Sequence, residues 1–273
     1  MVRLGITLPS FRDEPEPALA VARAAEDAGL DGVFLYDHLF RRTADGTRRP
    51  ALELLAMMGA VAAETRRVAI GSLVVRATLR APAVLANALD TVARIAGPDR
   101  VIAGIGAGDG ESREEMETFG FDFGDIASRV AALRDAGDAT RDRGYPVWIG
   151  GHDPAVRELA AAHADGWNRW GGSVASFRTQ AEGLRIAAGR SPFIVSWGGL
   201  VVLAASDAEA DAKAARLHAR AGTIVGGPAR VAHGLARFAE AGADWIVVGP
   251  VDSADPDNAR AVGEFVAPLL RGE

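Results

Sequence analysis

"AEDAGLDGVFLYD", residues 25–37, passes from an alanine-rich helical run through glycine and aspartate into an unbroken apolar strand. "AAHADGWNRW" (161–170) and "AEAGADWIVVG" (239–249) make the same passage. In the first and third, Gly29 and Gly242 suit the left-handed position that ends a helix, where a residue without Cβ meets no steric penalty. Asp31 and Asp244 then turn the chain into the strand. One helix-to-strand unit is being reused along the chain.

Outward from these copies, eight short apolar runs recur, at 3–8, 32–36, 68–75, 101–106, 146–150, 166–170, 199–204 and 245–249. Alanine-rich segments of helical period lie between and after them, at 15–29, 51–65, 82–96, 126–143, 154–164, 174–188, 206–221, 228–241 and 257–270. Strands that run apolar without alternation bury both faces, as in a parallel sheet covered by helices. Eight such units with no Pro/Ser-rich linker predict a (β/α)8 TIM barrel forming a single domain over 1–273, in preference to a doubly wound sheet with fewer strands.

Composition narrows the function. With 49% hydrophobic and 24% charged residues the chain can bury a large core, and its net charge of −6 offers no basic footprint for nucleic acid. The absence of cysteine excludes disulfides and thiolate chemistry and fits a cytoplasmic protein. Five histidines include no H-E-x-x-H or H-x-H pair, so no metal is expected. "MVRLGITLPS" is too short and too quickly polar for a secretory signal, and every apolar run is cut before the roughly 18 residues that a membrane helix requires.

In a barrel of this kind the chemistry gathers where the strands end. Those ends carry Pro9-Ser10-Phe11, Asp37-His38, Arg76, Ala107-Gly108-Asp109, Gly150-Gly151-His152 and Arg169-Trp170. Asp37-His38 sets a carboxylate beside an imidazole that can exchange protons near neutral pH; the alternative is a capping aspartate followed by a partly exposed histidine. The run "VIAGIGAGDGESREE" (101–115) has glycines at 104, 106, 108 and 110 that never satisfy G-x-G-x-x-G, so it is not a dinucleotide-binding turn. In "GGHDP" (150–154), Asp153 as N-cap and Pro154 at the first helical position start a helix whose exposed N–H groups could cradle a phosphate. The Asp153 carboxylate competes for the same donors. Among the tryptophans, 148, 167, 197 and 245 are expected in the core, and Trp170, at a strand end, in the site.

Together with "LGITLP", the blocks at 68–111, 147–170 and 226–250 give this sequence its resemblance to the bacterial luciferase-like superfamily, (β/α)8 oxidoreductases that use flavin or deazaflavin. The Asp-His pair, and the acidic residue after the strand-four glycines, resemble the branch that uses coenzyme F420, with FMN as the alternative. The resemblance implies that Asp37 binds cofactor, that His38 lies by the reactive carbon, and that Asp109 acts as acid or substrate contact. Asp109 is one methylene shorter than the Glu of some relatives. By the same resemblance Leu73, Val74, Gly106, Ala107 and Gly108 lie against the ring, and Gly150, Gly151 and Ala155 on the phosphate side. Phe11, Arg76 and Trp170 line the substrate pocket. A non-prolyl cis peptide between Leu73 and Val74 is also implied.

The expected activity is hydride transfer between F420 and a small organic substrate. An FMN-dependent monooxygenase and a flavin-binding protein without turnover are the alternatives. The chain is shorter than most relatives between "FGFDF" and "YPVWIG" and before "TIVGGP", where substrate-covering loops lie. Its only lysine, Lys213, falls on an outer helix, which speaks against a sugar-phosphate dehydrogenase. A homodimer is expected through helices 51–65 and 82–96, since "LELLAMMGAVAA" (52–63) is apolar nearly all round.

Overall fold

Eight parallel strands close on themselves in chain order: β1 (Arg3–Thr7), β2 (Gly32–Leu35), β3 (Ala69–Ser72), β4 (Val101–Gly106), β5 (Val147–Gly150), β6 (Gly166–Trp170), β7 (Ile194–Leu203) and β8 (Trp245–Pro250). Each pairs with the next, and β8 returns to β1 with Trp245 opposite Arg3. The computed structural model describes residues 1–43 and 45–272. Helices α1 (Glu16–Asp27), α2 (Leu54–Glu64), α3 (Pro82–Ala96), α4 (Arg113–Thr118), α5 (Ile126–Thr140), α6 (Pro154–His163), α7 (Val174–Ala188), α8 (Asp207–Arg216) and α9 (Pro228–Glu240) follow the strands around the ring. A last helical run, Pro256–Ala261, continues through a π turn at Val262–Val266 to Arg271. The architecture is the expected (β/α)8 barrel. No helix among the described residues is long and apolar enough to cross a membrane.

The repeated unit has a common device at its turn. Gly29 (φ 72°) and Gly242 (φ 101°) adopt the left-handed conformation expected of them. The aspartate before each strand accepts the N–H at the start of the neighbouring strand: Asp31 from Leu4 at 2.7 Å, Asp165 from Val147 at 2.8 Å and Asp244 from Val195 at 2.7 Å. Register is thereby pinned at the N-terminal ends of three strand pairs.

Large rings and glycines divide the barrel interior. Phe34, Trp148 and Trp245 pack on one another with centroids 5.6–6.2 Å apart. A Cβ on Gly5 or Gly71 would lie 2.6 or 2.4 Å from the Phe34 ring, and one on Gly166 2.9 Å from Trp148. Trp148, Trp167, Trp197 and Trp245 are all buried, as expected.

The glycines of 104–110 have separate causes. A Cβ on Gly104 would stand 1.9 Å from the Ser72 carbonyl oxygen, and one on Gly106 2.3 Å from Val74 Cγ2. These two positions seat the end of β3, where the Leu73–Val74 peptide is cis as the resemblance implied. Gly108 is a left-handed turn (φ 72°), and nothing crowds Gly110. Gly106→Ala should cost about 1–3 kcal/mol of stability through overpacking, and Gly104→Ala more, because its obstacle is backbone. Urea unfolding of the two variants checks both the loss and its order.

Five features depart from the expected pattern. β7 begins at Ile194 rather than Gly199, because Gly198 and Gly199 are strand interior that makes room for the Trp170 and Trp197 rings. A hairpin, Phe40–Arg42 with Arg48–Pro50, and the short α4 were not legible as elements. Ile224–Gly226 adds a strand beside β7, and α8 stops at Arg216, earlier than its helical pattern.

Candidate active site

Two adjoining cavities of about 440 and 460 Å³ open at the C-terminal ends of the strands and share Tyr36, His38, Glu111, Trp170 and Arg220 in their walls. The inner, smaller one is lined by Leu73, Val74, Gly106, Ala107, Gly108, Gly150 and Gly151, the outer by Phe11, Arg41 and the loop 217–220. A third cavity, of about 520 Å³, lies at the opposite, N-terminal end around Trp148 and Trp245. That face of a barrel serves stability rather than chemistry.

His38 projects from the end of β2 with about a third of its side chain exposed. Its Nδ1 lies 2.7 Å from Oε1 of Glu115, a residue of α4. Glu115 Oε2 accepts the Leu39 N–H at 2.8 Å and Arg76 Nη2 at 3.0 Å. Burial pushes the Glu115 carboxyl up, but the hydrogen bond and charge of His38, the Leu39 N–H and the Arg76 charge outweigh it, and its pKa is lowered. An ionised carboxylate only accepts, so Nδ1 carries the hydrogen and Nε2 is the nitrogen left for a ligand.

Glu115 was not among the candidates read from the sequence. The available signal was its spacing: Ser112, Glu115 and Met116 are the buried positions of a short helical stripe, which puts a carboxylate on a core-facing side.

Asp37 is buried and borders the inner cavity, but both its oxygens are committed to protein. Oδ2 accepts the Arg76 N–H at 2.8 Å and Arg80 Nη1 at 2.6 Å, and Oδ1 accepts Arg80 Nη2 at 3.0 Å. Arg80 also bonds Glu53, whose Oε2 caps α2 at the Ala56 N–H, 2.7 Å away. Asp37 therefore braces the site, with three of the roughly four acceptor positions of its carboxylate taken by protein.

Arg76, expected in the substrate pocket, is instead buried in the inner cavity wall, with Nη2 on Glu115 and with Nε and Nη1 lacking a partner among the described residues. Asp109 borders the inner cavity, with one of its two carboxylate oxygens committed to its own loop. Its Oδ1 accepts the Glu111 and Ser112 N–H groups at 3.0 and 3.2 Å, capping the turn into α4. The phosphate cradle is likewise filled by its competitor: Asp153 Oδ1 takes the Ala155 N–H at 2.9 Å, Gly151 donates to Asn168 O at 3.1 Å, and Ala155 lines neither cavity at the strand ends.

The aromatic expectations fall at the mouth. Phe11 sits 5.3 Å from the His38 ring, and Trp170, 38% exposed, meets Tyr36 edge-on at 5.8 Å. Burial raises the Tyr36 phenol well above its ordinary value, so it is a neutral hydroxyl. Lys213 lines neither of these cavities; it donates to Leu203 O at 3.0 Å and pairs with Asp252. Among the described residues no cluster of three or more His, Asp or Glu has the arrangement of a metal site.

A barrel with its histidine and its two cavities at the strand ends matches a known family in sequence as well as in shape. The family model for luciferase-like monooxygenases matches residues 2–143 and 138–244, and the chain belongs to that family. The F420-dependent glucose-6-phosphate dehydrogenase of Nakamurella multipartita is 30% identical over 205 residues, 65% of this chain and 59% of that protein. The enzyme of the same description from Beutenbergia cavernae is 39% identical over 137 residues, 50% of this chain and 39% of that protein. The chain thus spans under two thirds of the length of these curated relatives. An F420-dependent secondary alcohol dehydrogenase in complex with an F420-acetone adduct superposes with a TM-score of 0.82 at 18% identity, over 98% of this chain and 99% of that one. EDTA monooxygenase from Chelativorans gives 0.81 at 14% identity, over 99% and 93%. At such identities these structures establish the fold.

Proposed function

We propose that the protein is an F420-dependent oxidoreductase acting on a small organic substrate. The observation that carries this reading is His38, its Nδ1 held by a buried ionised Glu115, standing where the two cavities meet. The residues of the inner cavity fit a flat ring: about 440 Å³ is within the range of ligand pockets, its walls at Val74, Gly106, Ala107 and Gly108 are small, and two Arg76 N–H donors await an acceptor. When bound, the deazaflavin supplies a ring carbon that takes or gives hydride. The names of the curated relatives support this cofactor.

The protein's part is positioning and proton handling. Glu115 fixes the His38 ring, and Nε2 is then aimed to take or return a proton at the substrate oxygen. Asp37 and Arg80 hold the strand end from which His38 projects, and Tyr36 and Trp170 exclude water from the mouth. Exposed Val84 and Ile95 on α3 support the expected homodimer through the outer faces of α2 and α3. Titrating the protein separately with F420 and FMN tests the reading. Tight F420 binding with weak FMN binding is expected; the reverse order would replace it with an FMN-dependent monooxygenase.

A further inference from the structure

The outer cavity is lined by charges that cancel unevenly. Glu114 is matched by Arg42, with both oxygens 2.8 Å from Nε, and Glu115 by Arg76 and His38. The guanidinium groups of Arg41 and Arg220 and the carboxylate of Glu111 remain without a hydrogen-bonding partner among the described residues. Two cations face one carboxylate in a cavity of about 460 Å³ that also holds His38.

Both arginines are exposed, and each is carried by a defined piece of backbone. Arg41 lies on the hairpin after β2, its guanidinium carbon 5.6 Å from the centroid of Phe11, which itself touches His38. Arg220 follows the end of α8. There His38's counterpart across the cavity, His218, adopts a left-handed φ of 50°. The Ala219 N–H reaches Ala214 O at 3.0 Å and the His218 N–H reaches Ala215 O at 3.2 Å, the paired bonds of a Schellman motif. The Arg220 carbonyl is bound by Thr223 through its N–H at 3.2 Å and its hydroxyl at 2.7 Å. A histidine left-handed where glycine is preferred costs stability, and the turn it makes brings Arg220 into the wall of both cavities.

We infer that the outer cavity binds an anionic substrate, its carboxylate or phosphate held between Arg41 and Arg220 and its reacting carbon directed toward His38. This rests on the oxidoreductase reading for the reaction but not for the binding. A guanidinium presents donors in a planar fork that matches either anion, so the two share one recognition chemistry. Glu111 then accepts from a hydroxyl of the same ligand. In a chain whose only lysine lies outside both cavities, the cations come from two arginines far apart in sequence.

Calorimetric titration of the cofactor-free protein with inorganic phosphate and with malonate tests the inference. At least one anion should bind, about tenfold more weakly to Arg41→Gln and to Arg220→Gln, with Arg178→Gln on the exposed face of α7 unchanged and all three variants melting like the parent. Phosphate alone points to a phosphomonoester, malonate alone to a carboxylate. Binding of neither anion, or binding that either cavity variant leaves unchanged, overturns the proposal. Because no cofactor is present, a failure to bind F420 would sink the oxidoreductase reading without touching this measurement.

Discussion

Alanine in place of His38 should slow single-turnover hydride transfer about 100-fold or more, the scale of a lost proton donor or acceptor, while F420 affinity changes little. The ring is a third exposed and, among the described residues, its polar contact is through Nδ1, so on the proposed reading its removal takes Nε2 from the reacting oxygen while opening no large hole in the core. A histidine serving only to finish β2 would give the opposite pair of results, a lowered melting temperature with the rate per folded molecule intact. Rate and melting temperature measured together on this variant decide the matter.

Glu115→Gln should be the more damaging change to the fold. It removes the charge from a side chain that is 7% exposed and leaves Arg76, 4% exposed, without its carboxylate. Breaking a buried pair in this way costs about 3–5 kcal/mol, because the remaining charge stays desolvated and uncompensated. The amide also offers His38 no anion to orient Nδ1, so the rate should fall as well. The pH dependence has a definite sign. Since the folded Glu115 pKa is below its ordinary 4.5, the stability it contributes is complete above about 4.5 and is lost as pH falls through the depressed folded value. Urea unfolding of parent and variant across the acid range should show this component in the parent and its absence in the variant. Equal midpoints at neutral pH would dismiss the network as a stabilising element.

The barrel was legible because its signals are local. Continuous apolar runs, capping glycines and the aspartate turn each follow from a few neighbouring residues, and all three recur. β7 was cut short for a physical reason of another kind: the apolar run was begun at Gly199, and only the tertiary structure reveals the two indole rings that need the missing side chains of Gly198 and Gly199 inside a longer strand. The site was half legible. Its position followed from the fold, and His38, Phe11 and Trp170 stand at the mouth. What failed was the bookkeeping of carboxylates. Asp37 and Asp109 each looked available, and each has an N–H or a guanidinium close at hand on it, whereas Asp153 caps its helix as read. Glu115, amid a cluster of surface charges in sequence, proved to be the buried one.

The aspartates at the far end of the barrel bear on how such a chain can change over generations. With Asp31, Asp165 and Asp244 clamping three strand pairs where the strands begin, alignment does not depend on anything beyond the strands' other ends. A slip of one residue would turn every inward ring outward, so alignment is the property least open to drift. Loops at the mouth, the hairpin bearing Arg41 and the turn bearing Arg220 among them, can be lengthened, shortened or exchanged without disturbing it. The molecule separates a fixed chassis from a replaceable face, and new substrates can be reached by editing the face alone.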